Sequence, residues 1–298
     1  MKDHAWYESL LQRLKASWVS QPDKPEETAE STLRALWSVA AGEPLSVCKA
    51  AAAILPDLDE EGLRRLTGLV EQRLSGIPLA HLTHRQHFMG LEFLAGPEAL
   101  IPRAETEILA RAALAKASAL AGVRGSITIL DVCTGAGNVG LALAALEPRC
   151  RLFASDISSA AIELAQKNAL HLGLEGRAEF RLSDMFSAFE SEEFIGKIDL
   201  LTCNPPYISS AKVTTMSPEI SRNEPRLAFD GGAFGVLILT RLIREAPKFL
   251  KSDSFLCFEV GLGQGKGMSR LLENAKVYRD IQQVVDEAGN VRVMVAQT

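Results

Sequence analysis

From Met1 to about Leu74 the apolar positions recur at intervals of three and four. Tyr7, Leu10, Leu11, Leu14 and Trp18 form one such series, Leu33, Leu36 and Trp37 a second, Val47 to Leu55 a short third, and Leu63, Leu66, Leu69 and Val70 a fourth. That period puts the apolar side chains on one helical face, so a small bundle is predicted. The interval from Pro22 to Pro25 closes its first helix, and Asp57 and Asp59 are capping candidates for its last. No charged stripe or titratable cluster stands out in this stretch, which reads as a docking or lid module. Between Gly76 and Gly96 the period is lost, and His87, Phe88, Leu91, Phe93 and Leu94 around Gly90 predict a β-hairpin. Its histidines, His81, His84 and His87, alternate faces if the segment is extended, and no acidic or Cys partner is adjacent, so no metal site is expected.

After Pro97 and Pro102 the pattern alternates between the two periods. Helix is predicted over 105–121, strand over 127–132, helix over 139–146, strand over 152–155, helix over 160–172, and strands over 178–182 and 198–203. A helix over 236–250, a strand over 255–260, a helix over 269–275 and strands near 281–285 and 291–295 complete the chain. Repeated β-α-β units with apolar strands mean an α/β fold, a parallel doubly wound sheet with helices on both faces. The last two strands, joined through Asp286 to Asn290, read as a hairpin that makes the final strand antiparallel. The expected organisation is therefore a helical bundle over 1–75, a hairpin linker over 76–103 and an α/β unit over 104–298.

Composition narrows the class. Of 298 residues, 47% are hydrophobic and spread along the chain, enough for a sizeable core, and the formal charge of −5 argues against sequence-independent capture of nucleic acid. Cys48, Cys133, Cys150, Cys203 and Cys257 are scattered with no C-x-x-C pair, which fits reduced thiols rather than a disulfide framework or a zinc site. No signal-peptide core or uncharged stretch of transmembrane length is present, so a soluble cytoplasmic protein is expected.

Candidate chemistry concentrates in two loops. Asn204-Pro205-Pro206-Tyr207 follows the strand 198–203, where ligands bind in open α/β sheets. The two prolines stiffen the loop and leave an amide side chain, free carbonyls and an aromatic ring on display. Taken alone, the tetrapeptide is equally compatible with a strand-ending turn. The other loop, Asp131-Val132-Cys133-Thr134-Gly135-Ala136-Gly137-Asn138-Val139-Gly140, contains G-x-G-x-x-G between a strand and a helix, and Asp156 closes the next strand where it can hold ribose hydroxyls. Both features point to an adenosine-containing cofactor. Asp131 would repel a pyrophosphate but suits a cationic methionine moiety, and Asp184, beside Met185, is an acceptor for an adenine amino group, so the charges favour S-adenosylmethionine. The glycine cluster from Gly261 to Gly267 fails the Walker pattern and reads as a strand-to-helix turn.

With both loops in hand, the sequence resembles the HemK/PrmC family of S-adenosylmethionine-dependent methyltransferases. The resemblance includes Gly76-Ile77-Pro78-Leu79, Ile101-Pro102-Arg103-Ala104-Glu105-Thr106-Glu107, both loops, Glu224-Pro225, Asp230-Gly231-Gly232 with Gly235, Glu259-Val260-Gly261, and Asp286-x-x-Gly289-x-x-Arg292. It implies a Rossmann-like methyltransferase that modifies the side-chain amide nitrogen of the glutamine in the Gly-Gly-Gln motif of peptide chain release factors. Asp131, Cys133, Thr134, Gly135, Ala136, Gly137, Asp156, Asp184, Met185 and Asn204 are then the expected cofactor residues. Asn204, Pro205, Pro206 and Tyr207 are expected to bind the substrate. Within that set the Asn204 oxygen and Pro205 carbonyl accept the amide hydrogens while Tyr207 packs on the amide plane. The expected partner is a release factor, without direct nucleic-acid or membrane contact, and a monomer is the expected state. Four positions depart from the family pattern: Cys133 and His84 stand where glycine is usual, Ala104 replaces a proline, and Met185 replaces a frequent aromatic. These leave room for a small amide or guanidine substrate. Nucleic-acid adenine methylation and an NAD-dependent oxidoreductase are further readings, opposed by the charge balance and by Asp131.

Overall fold

The computed structural model describes residues 2–17, 24–213, 218–232 and 235–298. Helices α1 (Lys2–Ala16), α2 (Ala29–Ala40), α3 (Val47–Ala52) and α4 (Glu60–Leu74) form the predicted bundle. Leu10, Leu14, Leu33, Leu36, Trp37, Leu66 and Val70 make its core, so the spacing of three and four does select the buried face. Asp59, not Asp57, caps α4 by accepting from the Gly62 N–H at 2.7 Å. Trp18 and Pro22 lie outside the described residues.

The segment from Gly76 to Gly96 is not a hairpin throughout. Helix α5 (Leu79–Thr83) comes first, and only then β1 (Arg85–Phe88) and β2 (Leu91–Leu94) pair antiparallel. Pro78 starts the helix, where a proline loses no hydrogen bond, and Leu79, Ala80 and Leu82 are buried by it. His81 therefore lies on a helix, His84 at its left-handed cap (φ 52°) and His87 on a strand, so alternation along an extended chain does not describe them. Among the described residues no group of His, Cys, Asp and Glu is arranged to hold a metal ion.

The α/β part runs α6 (Thr106–Arg124), β3 (Ile127–Val132), α7 (Asn138–Leu146), β4 (Cys150–Asp156), α8 (Ser159–His171), β5 (Ala178–Leu182) and β6 (Ile198–Cys203). It continues through α9 (Ser210–Val213), α10 (Pro218–Asn223), α11 (Leu237–Glu245), β7 (Leu250–Glu259), α12 (Gly265–Ala275), β8 (Arg279–Val285) and β9 (Val291–Gln297). Helix α11 stops short of the expected Leu250 because Pro247 has no N–H to continue it; a 3₁₀ turn over Ala246–Lys248 follows, and β7 begins at Leu250.

The sheet order is β5-β4-β3-β6-β7-β9-β8, parallel from β5 to β7, with β9 antiparallel to both its neighbours. Ile129 packs into the core on one face and Leu130 and Val132 into the core on the other, which is why β3 reads as a nearly continuous apolar run. The chain moves outward from β3 through β4 to β5, then returns to the far side of β3 as β6. Strand order thus reverses between β3 and β6, and the crevice beyond their carboxyl ends is the place for a ligand. No helix among the described residues is long and apolar enough to cross a membrane.

The bundle also grips the segment that follows β6. Arg73 bonds Glu219 of α10 at 3.2 Å and lies 3.6 Å from Glu27, while Lys24 lies 3.9 Å from Glu27 and 3.8 Å from Glu219. Lys24 and Glu27 are almost wholly buried, and burial pushes the Glu27 carboxyl up. This cluster overturns the expectation that the bundle has none. Its fourth member comes from α10, far along the chain, so spacing within the bundle gives no sign of it.

Candidate active site

The loop after β3 folds around the carboxylates at the strand ends. Asp131 is 1% exposed; its Oδ2 accepts from the Thr134 hydroxyl at 2.6 Å and the Gly140 N–H at 3.3 Å, and its Oδ1 from the Thr202 hydroxyl at 2.6 Å. Burial dominates these bonds and raises its pKa to about 6. Gly140 is needed for packing rather than for φ, since a Cβ there would meet Leu152 Cδ1 at 2.9 Å and Asp131 Cβ at 3.1 Å. Asp156 receives the Gly135 N–H at 2.9 Å and the Ser158 N–H at 3.0 Å, so the second strand end is tied to the first loop.

These groups surround a cavity of about 220 Å³ lined by Asp131, Cys133, Thr134, Gly135, Asp156, Asp184, Met185, Asn204 and Pro206 among others. Two expected cofactor residues do not line it. Ala136 is 1% exposed and packs with Ala99, Ala161 and Leu164, and Gly137 is the left-handed N-cap of α7, so both shape the loop from behind. Asp184 lines the cavity while pairing with Arg241 at 2.6 Å. Glu98, Asp131, Asp156, Asp184 and Asp230 contribute carboxylates, and no Lys or Arg occurs among the described lining residues.

The Asn-Pro-Pro-Tyr loop divides this cavity from a second one, of about 160 Å³. Pro206 faces the first, Pro205 and Tyr207 face the second, and Asn204 lines both. The loop is held from behind by hydrogen bonds from Ile208 N to Phe229 O at 3.0 Å and from Gly231 N to Ile208 O at 2.8 Å. Gln264 adds a clamp, donating to the carbonyls of Tyr207 and Gly235, each at 3.1 Å.

Sequence reasoning gave no role to several residues of the second cavity: Thr106, Glu105, Glu259 and Arg292. The Tyr207 hydroxyl donates to Glu259 Oε1 at 2.7 Å, and Asn204 Nδ2 donates to Thr106 Oγ1 at 3.2 Å. Burial and the neighbouring carboxylate push the Tyr207 pKa well up, which keeps its proton in place, and burial raises that of Glu259. A signal for Glu259 was present, since it closes β7 as Asp156 closes β4, and Asp131 stands one residue before the end of β3.

Comparison with known proteins places this architecture. The model of the methyltransferase small domain matches residues 110–238. The release factor glutamine methyltransferase of Moorella thermoacetica is 36% identical over 247 residues, covering 82% of this chain and 84% of that protein. The chain belongs to the release factor glutamine methyltransferases. A second member, from Cereibacter sphaeroides, is 34% identical and covers 76% of this chain and 77% of its own. Among solved structures the catalytic domain of hMettl16, in complex with MAT2A 3'UTR hairpin 6, aligns with a TM-score of 0.55 at 14% identity, over 77% of this chain and 81% of that one. At that identity the likeness is one of fold, and the family's fold is the Rossmann-like sheet of S-adenosylmethionine-dependent methyltransferases.

The residues present fit that cofactor. Asp184 and Asp230 are paired with Arg241 and Arg226, but Glu98, Asp131 and Asp156 stand in a wall with no described Lys or Arg, which opposes a pyrophosphate and attracts a sulfonium and an ammonium group. The bound Asp156 also remains in the wall, at the second strand end where ribose hydroxyls are held in such folds.

Proposed function

We propose that this chain transfers the methyl group of S-adenosylmethionine to the side-chain amide nitrogen, N5, of the glutamine in the Gly-Gly-Gln motif of a peptide chain release factor. The observation that carries the reading is the position of Asn204 in the walls of both cavities, one acidic and one closed by Pro205 and Tyr207. The cofactor supplies an electrophilic methyl group on a sulfonium. Asn204 Oδ1 and the Pro205 carbonyl accept the two amide hydrogens of the glutamine and point its nitrogen at the acidic cavity. Tyr207 flanks the amide plane. An amide nitrogen is a weak nucleophile, so orientation at short range provides most of the acceleration. The nitrogen–methyl bond forms as the sulfur–methyl bond breaks, and the surplus proton of the nitrogen leaves to water.

In this reading residues 1–75 dock the release factor, 76–103 link, and 104–298 carry the transfer, with the protein acting as a cytoplasmic monomer without direct nucleic-acid contact. The test is incubation of the chain with labelled S-adenosylmethionine and purified release factor. Label is expected on the Gly-Gly-Gln glutamine and is expected to disappear with Asn204→Ala, with a smaller loss of cofactor affinity. An unlabelled factor in the presence of cofactor-bound enzyme, or label on a small amide instead, would overturn the assignment.

A further inference from the structure

Thr106 is 2% exposed at the start of α6, and its only described hydrogen bond to the Asn-Pro-Pro-Tyr loop is the one it receives from Asn204 Nδ2. Beside it lies Glu259, 2% exposed, with Oε1 taken by Tyr207 and Oε2 buried without a hydrogen-bonding partner.

A hydroxyl has one proton to donate and lone pairs with which to accept. In the structure Thr106 Oγ1 meets Asn204 as an acceptor, 3.2 Å from Nδ2, and so holds the NH₂ half of the amide. Asn204 Oδ1, which accepts no hydrogen bond from the described residues, is then the half left for the cavities. In the reverse orientation Asn204 would offer N–H groups to a substrate nitrogen that itself carries two hydrogens, and donors would face donors.

We propose that Thr106 is a positioning residue for methyl transfer: it fixes the Asn204 amide with its oxygen toward the substrate nitrogen. The buried Glu259 carboxylate holds the aromatic ring of Tyr207 in the same wall. The inference rests on the reading that Asn204 accepts an amide hydrogen.

The test compares Thr106→Val, Thr106→Ser and Asn204→Ala in the full chain, with release factor as substrate and S-adenosylmethionine binding and Tm measured for each. Thr106→Val keeps the shape but not the acceptor, and is expected to lower kcat about 10- to 100-fold, with KM for the factor and Kd for the cofactor held within about twofold. Thr106→Ser restores the acceptor and is expected to stay within about threefold of the parent. A Thr106→Val enzyme with kcat within about threefold of the parent overturns the inference, as does a Thr106→Ser enzyme as impaired as the valine variant. Parallel loss of cofactor binding or of Tm in the valine and serine variants overturns it too, since the role is then merely structural. If Asn204→Ala turns over normally, the reading of Asn204 falls and the inference with it. If Asn204→Ala is inactive while Thr106→Val is active, only the role of Thr106 falls.

Discussion

The backbone of Gly235 lies so close to the Tyr207 carbonyl oxygen that a methyl group has no room between them. Gly235 also has φ 67°, a region in which a side chain is strained. Gly231 meets the same loop, since a Cβ there would lie 2.5 Å from the Pro206 carbonyl oxygen. The Asn-Pro-Pro-Tyr segment is therefore a shaped object pressed against a second stretch of backbone.

Gly235→Ala is expected to displace Tyr207 and lower turnover by about tenfold or more, as a shift on the order of 1 Å at a reacting group does. Steady-state kinetics checks this, with far-UV circular dichroism expected to match the parent.

Glu224 is wholly buried and bound twice, to Arg103 at 2.5 Å and to the Ile101 N–H at 2.9 Å. The pair ties the approach to α6 to the segment between the two cavity walls. Glu224→Ala leaves the Arg103 charge without this partner and is expected to cost about 3 kcal/mol. Denaturant unfolding measures it, and a change below about 1 kcal/mol would show that the pair contributes little beyond its desolvation cost.

Asp131 carries a pKa raised to about 6 by burial, so it is protonated below that pH and ionised above it. A cationic ligand favours the carboxylate. Affinity for S-adenosylmethionine is accordingly expected to rise as pH increases from 5 to about 7, and Asp131→Asn is expected to flatten that dependence. Calorimetric titration across this range decides the matter.

Cys133 occupies a left-handed conformation, φ 57°, with its Sγ 3.7 Å from Met185 Sδ. Cys133→Gly removes strain of about 1–2 kcal/mol and adds about 0.5–1 kcal/mol of chain entropy cost. A net gain between about zero and about 1.5 kcal/mol, up to about 3 °C in Tm, is expected. A Tm below the parent would show that thiol packing outweighs the backbone term.

Much of the fold was legible because its signals are local. The strands 127–132, 178–182 and 198–203 are bounded as their apolar runs predicted. Where a single residue intervened the reading failed: Pro78 permits a helix in place of a strand, and Pro247 ends α11 early. At the candidate site, the residues at strand ends were legible and the partners that orient them were not. Thr106 bonds Asn204 across 98 positions of sequence, and no spacing rule spans that distance. The family departures are a middle case. His84, Cys133 and Met185 all have positive φ, 52°, 57° and 54°, so the glycine expected at the first two is explained by backbone conformation. The replacement of proline by Ala104 has no counterpart in the structure that explains it.

Lys24, Glu27, Arg73 and Glu219 form a quartet of two cations and two acids whose corners come from three separate stretches of the chain. For protein engineering it acts as a registration mark. A chimera that borrows its first 75 residues from a relative brings three of the four corners and must find an acid waiting at position 219. Without one, two cations and a single anion are shut in together at the foot of the segment that leads away from Tyr207. Positions 24, 27, 73 and 219 therefore travel as one unit of inheritance, although nothing in their spacing says so.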